Sequence, residues 1–121
     1  MPDDVLYYTD YGRGYLGRFD TKTGKMAQEW LSPGGPNSRP YGITIVNGIV
    51  WYSESGVKPN TLVRFDPMTE KFQTWIIPGG GGVVRNMTHF ADGKLALTES
   101  GENEVALVTV KNRDKIAMGG K

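Results

Sequence analysis

Hydrophobic residues along this chain come in short runs broken by glycine, proline and asparagine, with no stretch at a helical spacing. Residues 41–46 form one such run, Asn47-Gly48 interrupts it, and residues 49–53 form the next. Both turn residues tolerate positive φ, so the pair predicts a type I′ turn that folds the two runs into a hairpin. Residues 61–65 make a third strand, and "DPMTE", from Asp66 to Glu70, makes a turn with proline at its first corner. Residues 72–77 make a fourth strand, ended by Pro78 and a glycine run. The runs are rich in β-branched and aromatic residues, so the pattern predicts an all-β chain.

The pattern repeats. "DVLYYTDYG", "GIVWYSESG" and "GKLALTESG" are variants of one phrase, with Leu6, Val50 and Leu95 in equivalent places. "LGRFD", Leu16 to Asp20, returns as "LVRFD", Leu62 to Asp66, and "WLSPGG" from Trp30 returns as "WIIPGG" from Trp75. The shifts are about 43 to 46 residues, the length of a four-stranded propeller blade. The predicted fold is therefore all-β, built of four-stranded antiparallel β-propeller-type blades. Residues 4–38 read as strands two to four of one blade, 39–84 as a full blade, and 85–121 as strands one to three of another. The tail Lys115 to Lys121, "KIAMGGK", falls where a fourth strand belongs but is short and weak as a strand. The 121 residues thus form a single propeller segment of about two and a half blades. Closed propellers have typically 4 to 8 blades, so the expectation is an incomplete ring, completed by further blades of a longer chain or by other copies in an oligomer.

Composition narrows the partners. Lysine and arginine number 14 against 13 acidic residues, for a net charge of +1, and no basic face is clustered. Bulk attraction to nucleic acid or to a membrane surface is not expected. No apolar run reaches the roughly 18 residues of a membrane-spanning helix. With no cysteine, disulfides, thiolate metal sites and a cysteine nucleophile are excluded. The cysteine count suits an oxidising compartment and the cytosol equally.

Alternating strand direction sorts the loops into two faces. Arg39, Tyr41, Arg85 and Asn86 fall where the first strand of a blade begins, and Asp10, Glu54 and Glu99 fall where the second ends, all on one face. A mouth of carboxylates interleaved with cations and an aromatic ring could take a cation or a polar small molecule. An acidic residue before a glycine turn also serves as an acceptor for loop N–H groups, so each carboxylate has a structural reading beside the functional one. His89, the single histidine, lies within a strand, where the simple expectation is a hydrogen-bonded side chain. Trp30, Trp51 and Trp75 are expected to pack between blades. "PGGGG", Pro78 to Gly82, has the composition of a phosphate loop, but no helix follows it to supply the dipole.

The stretch "YLGRFDTKTGKMAQEWLSPGGPNSRPYGI" followed by "GIVWYSESG" resembles the repeat of the streptogramin lyases, also called virginiamycin B lyases. The likeness runs over nearly all of Asp4 to Val110 and corresponds to the C-terminal blades of that propeller. It implies a lyase that opens a lactone ring by elimination with Mg²⁺ as cofactor. Carried over by motif, Glu99 is a catalytic residue and a metal ligand, Glu54 holds the equivalent metal-binding place one blade earlier, and Arg85 stabilises an enolate or carboxylate. The family's histidine positions are occupied here by Tyr41, after Pro40, and by Arg85 or Asn86. The catalytic histidines are therefore absent, with Tyr41 standing at one of their places. Arg39, Asn86 and Asp10 complete the expected substrate-binding set. Two alternatives stand beside the lyase: a non-catalytic propeller that binds a small-molecule ligand, and a structural arc that completes another propeller.

Overall fold

The computed structural model describes residues 4–77, 84–99, 104–112 and 115–120. Among them every regular element is a strand, and the strands form three separate antiparallel sheets. The first blade has β1 (Val5–Asp10), β2 (Tyr15–Asp20) and β3 (Lys25–Leu31) in the order β1-β2-β3. The second has β4 (Pro40–Val46), β5 (Ile49–Glu54), β6 (Thr61–Asp66) and β7 (Lys71–Ile76), each beside its sequence neighbour. The third has β8 (Val84–His89), β9 (Leu95–Glu99), β10 (Glu104–Asn112) and β11 (Lys115–Gly120), in the same meander. The sheets remain open. The tail that is weak in sequence does form a strand, since β11 pairs with β10 from Asn112↔Lys115 to Ala106↔Gly120. Ladder pairing with an apolar neighbour strand outweighs the low strand preference of Gly119 and Gly120.

The turns follow their residues. Asn47 and Gly48 sit at φ 50° and 78°, the doubly positive arrangement that a type I′ hairpin requires. Asp66 closes the β6–β7 turn: its Oδ1 accepts the Met68 N–H at 2.9 Å and its carbonyl accepts the Glu70 N–H at 2.7 Å. Asp20 does the same for the β2–β3 turn, accepting from the Lys22 N–H at 2.9 Å.

β5 explains how the blades cohere. Its run "IVWYSE" is buried at every position, and strand alternation sends successive side chains to opposite faces of the sheet. Val50 and Tyr52 join Leu16, Val63 and Phe65 in a core cluster with Tyr7 and Trp30 of the first blade. Ile49 and Trp51 join Leu62, Ile77, Val84, Met87, Leu95, Leu97, Ala106 and Val108 in a cluster with the third. The tryptophans pack as expected between blades: Trp30 crosses to Phe65 at 4.6 Å, and Trp51, stacked at 5.9 Å on Trp75 of its own sheet, belongs with it to the cluster shared with the third blade. Each fully buried Val, Leu or Phe side chain contributes about 1.5–3 kcal/mol, so the second blade is stabilised chiefly by its two neighbours.

Candidate functional site: the mouth at the strand ends

Strand register places the predicted mouth residues at one end of the sheets. Pro40 pairs with Glu54 across β4–β5, and Val84 pairs with Glu99 across β8–β9. The starts of β4 and β8 therefore lie beside the ends of β5 and β9. Asp10 ends β1 in the equivalent position. The geometry separates these residues into three kinds.

Glu54 is locked inside the structure. It is 1% exposed, and its Oε2 accepts the Ser32 hydroxyl at 2.5 Å and the Gly34 N–H at 2.7 Å, while Oε1 accepts the Thr61 hydroxyl at 2.6 Å. Ser32 also meets the Tyr52 hydroxyl at 2.7 Å. Since the Ser32 proton goes to Glu54, the Tyr52 O–H donates to Ser32. Burial holds the Tyr52 phenol well above its ordinary pKa, so it stays a neutral donor. Gly34 has no room for a side chain, since a Cβ there would lie 2.9 Å from Glu54 Oε2. Three donors from two segments, the loop after β3 and the start of β6, aim at this carboxylate, an arrangement suited to an anion and opposed to a cation, which would face their hydrogens. Glu54 does not fit a metal ligand.

Asp10 is also committed locally. Its Oδ1 accepts the Arg13 N–H at 3.1 Å and its Oδ2 lies 3.3 Å from Arg13 Nη1. Arg13 in turn makes a two-point bond to Glu29, 3.0 Å at each end. The structural reading of an acid before a glycine turn describes both Asp10 and Glu54.

Arg39 and Tyr41 are the exposed members. Tyr41 meets Tyr11 edge to face, with ring centroids 5.5 Å apart, and the two are 38% and 43% exposed. The Arg39 guanidinium lies 5.3 Å over the Tyr11 ring and its Nη1 is 3.4 Å from the Tyr11 hydroxyl. Arg39 adopts φ 51°, a left-handed conformation uncommon for a residue with a side chain. Its segment is pinned by the Ser55 N–H on the Arg39 carbonyl at 3.0 Å and the Gly56 N–H on the Ser38 carbonyl at 2.7 Å. Tyr11 is absent from the residues picked out in sequence. The signal was available: the repeats place serine at this step, as Ser55 and Ser100, and only the first blade has an aromatic there.

Asn86 is exposed near the start of β8, where a register irregularity follows Val84, and its carbonyl accepts the Thr98 hydroxyl at 3.1 Å. The backbones of Arg85 and Glu99 lie on β8 and β9, but their side chains fall outside the described residues. His89 closes β8 at the opposite end, paired with Leu95, and its Nδ1 is 2.9 Å from the Thr44 hydroxyl. It is a hydrogen-bonded strand histidine, away from the mouth. Among the described residues, no three His, Asp or Glu side chains converge to hold a metal ion.

No protein-family model matches the chain, and none of the curated proteins matches it. Solved structures do. Selenomethionine-substituted virginiamycin B lyase from Staphylococcus aureus superposes with a TM-score of 0.77 at 26% identity, over 97% of this chain and 38% of that one. A catalytically inactive histidine-to-alanine variant of the same enzyme with quinupristin gives 0.78 at 27% identity, over 96% and 37%. A streptogramin B lyase matches in fold at 0.76 and 23% identity, over 94% and 36%. The chain therefore spans well under half the length of the propellers it resembles. The likeness to the virginiamycin B lyases that the repeat carries in sequence is a likeness of three-dimensional fold as well.

Proposed function

We propose that this chain is a segment of a lyase-like propeller whose mouth binds a small molecule, and that its chemistry is metal-assisted cleavage of a C–O bond in a lactone or related ester. The observation that carries the reading is a difference between two copies of the repeat. At the second blade, Glu54 sits opposite Thr61 and takes the hydroxyls of Thr61 and Ser32. At the third blade, Glu99 sits opposite Glu104, and the residue in the Ser32 position is Ile77, a core residue. Leu97 replaces Tyr52 in step, so both polar partners of the latch have become apolar. The repeat that locks Glu54 thus withholds those donors from Glu99. Register sets two acidic residues, Glu99 and Glu104, at directly opposed positions of the β9–β10 ladder.

Glu99 and Glu104 are the residues that would hold Mg²⁺, which binds through one or two carboxylates with water completing its shell. The ion would polarise an ester carbonyl and stabilise negative charge developing on it. Arg85, Arg39 and Tyr41 would orient the substrate at the mouth. Elimination removes a proton next to the cleaved bond, forms a C=C bond and releases the ester oxygen as a carboxylate. His89 lies at the far end of β8, away from the mouth, and Glu54 is committed to its donors, so neither is placed to remove that proton.

The placement of His89 also favours a second reading, a mouth that binds without turnover. Incubation with quinupristin and Mg²⁺, followed by liquid chromatography and mass spectrometry, separates the two. Elimination gives a product of unchanged mass and altered retention, lost in Glu99→Gln. Saturable binding with unaltered quinupristin supports the second reading, and absence of both binding and conversion refutes the two together.

A further inference from the structure

We infer that the first-to-second blade junction of the mouth is a receptor for an anionic group attached to an aromatic or other planar body, with Arg39 as the anion-binding residue and Tyr11 and Tyr41 as the ring-binding surface. The inference rests on the reading of this face as a ligand mouth, but it concerns residues distinct from Glu99 and its neighbours.

The two arginines nearest this junction are treated differently. Arg13 is neutralised by Asp10 and by the two-point bond to Glu29. Arg39 has no acidic partner among the described residues; its contacts are the Tyr11 ring and hydroxyl. Its positive charge is thus held over an aromatic face and left uncompensated, in a side chain open to solvent. A guanidinium in that state presents a planar fork of N–H donors matched to a carboxylate or phosphate.

The aromatic half is equally specific. Exposed tyrosines on a loop need no explanation singly, but Tyr11 and Tyr41 come from different blades and meet edge to face. Thr9 holds the backbone between them, its hydroxyl donating to the Tyr41 carbonyl at 2.9 Å. Such a pair offers a ring a stacking or edge contact at low entropic cost, since each tyrosine has only two side-chain torsions to fix.

The backbone also bears on the question. A left-handed φ at a residue with a side chain is disfavoured, and glycine or asparagine would fill the position with less strain. Arg39 nevertheless occupies it at φ 51°, fixed by Ser55 and Gly56. Retained strain of this kind gathers at binding sites, where it fixes a side chain in place before the ligand arrives. An acid with a planar body would place its anion on Arg39 and its plane against Tyr41 and Tyr11. Acids built on a benzoyl ring are the simplest members of that class.

The test is titration of the intact chain at neutral pH with benzoate, its neutral isostere benzamide, and acetate, followed by NMR of the tyrosine ring and arginine Hε signals. The expected result is saturable binding of benzoate at least tenfold tighter than either control, with shifts at Arg39, Tyr11 and Tyr41. Arg39→Gln removes the preference for benzoate over benzamide, while Arg13→Gln leaves it in place. Arg39→Gly relieves the backbone and keeps the fold, so loss of benzoate binding in that variant, with an unchanged or raised Tm, reports the missing guanidinium. Equal affinity for benzoate and benzamide, no binding at all, or wild-type benzoate affinity in both Arg39 variants overturns the inference. Quinupristin run in parallel distinguishes the two proposals. Arg39-dependent benzoate binding without quinupristin binding or conversion sustains the receptor and sinks the lyase reading. Quinupristin conversion without benzoate binding does the reverse.

Discussion

The Ser32 hydroxyl stands 2.5 Å from Glu54 Oε2, joining the segment that leaves the first blade to the second strand of the next. Tyr52 extends the chain at one end and Thr61 and Gly34 complete the carboxylate's shell at the other. A carboxylate placed this way is a structural anion, and the two blades are fixed to each other through it. Glu54→Gln keeps the size but puts an NH₂ group among donors. Each hydrogen bond to a charged group contributes about 1.5–3 kcal/mol, so the substitution is expected to lower unfolding free energy by about 2–4 kcal/mol. Urea denaturation reads this directly. Mg²⁺ should stabilise the variant and the wild type equally.

Tyr52 makes the latch sensitive to alkali. Its folded-state pKa lies above the ordinary value of 10.0 because burial disfavours the phenolate. A raised pKa means the folded state holds its proton where the unfolded state has lost it, so stability is intact below about pH 10 and declines as pH rises beyond that. Tyr7 and Tyr8 are raised in the same direction, mainly by burial. Thermal melts from pH 8 to 11.5 should show the decline, and Tyr52→Phe should make it shallower. At pH 7 the same variant loses one hydrogen bond and should be less stable by about 1 kcal/mol.

How much of this was legible in the sequence depends on distance along the chain. The blades were readable because the repeat is local and recurs, and the type I′ hairpin because Asn47-Gly48 states it in two residues. β11 was indistinct because Gly119 and Gly120 carry little strand preference and their pairing with β10 supplies the order. Glu54 and Glu99 look alike in "YSESG" and "LTESG". What separates them is Ser32 and Thr61 in one case and Ile77 and Glu104 in the other, residues that only register brings alongside. The Tyr11–Tyr41 contact spans the same kind of gap, between a turn of one blade and the first strand of the next.

Glu70 offers a measurement of backbone strain. It adopts φ 58° at the turn before β7, and its Oε1 accepts Trp30 Nε1–H at 2.9 Å and Gln28 Nε2–H at 3.2 Å. Glu70→Ala loses both bonds and keeps the left-handed strain, whereas Glu70→Gly loses both and relieves it. The glycine variant should be more stable than the alanine variant by about 1 kcal/mol. Paired urea melts give the difference, and an alanine variant at least as stable as the glycine one would mean the turn relaxes on losing the side chain.

Gly56 connects the fold to the mouth. A Cβ at this position would lie 2.1 Å from the Asn37 carbonyl oxygen and 2.9 Å from the Ser38 carbonyl carbon, both backbone atoms. Neither can swing aside as a side-chain tip could, so Gly56→Ala must displace the loop that holds Ser38 and Arg39. Its N–H also supports that loop through the Ser38 carbonyl. Overpacking of this kind costs about 1–3 kcal/mol, and the displacement moves the Arg39 guanidinium off the Tyr11 ring. The expected outcome is a lower urea midpoint together with shifted Arg39 and Tyr11 resonances and at least fivefold weaker benzoate binding, about 1 kcal/mol at that ratio. A loss of stability with the Arg39 and Tyr11 signals unmoved would show that Gly56 supports packing alone and leaves the mouth to be positioned by Ser55.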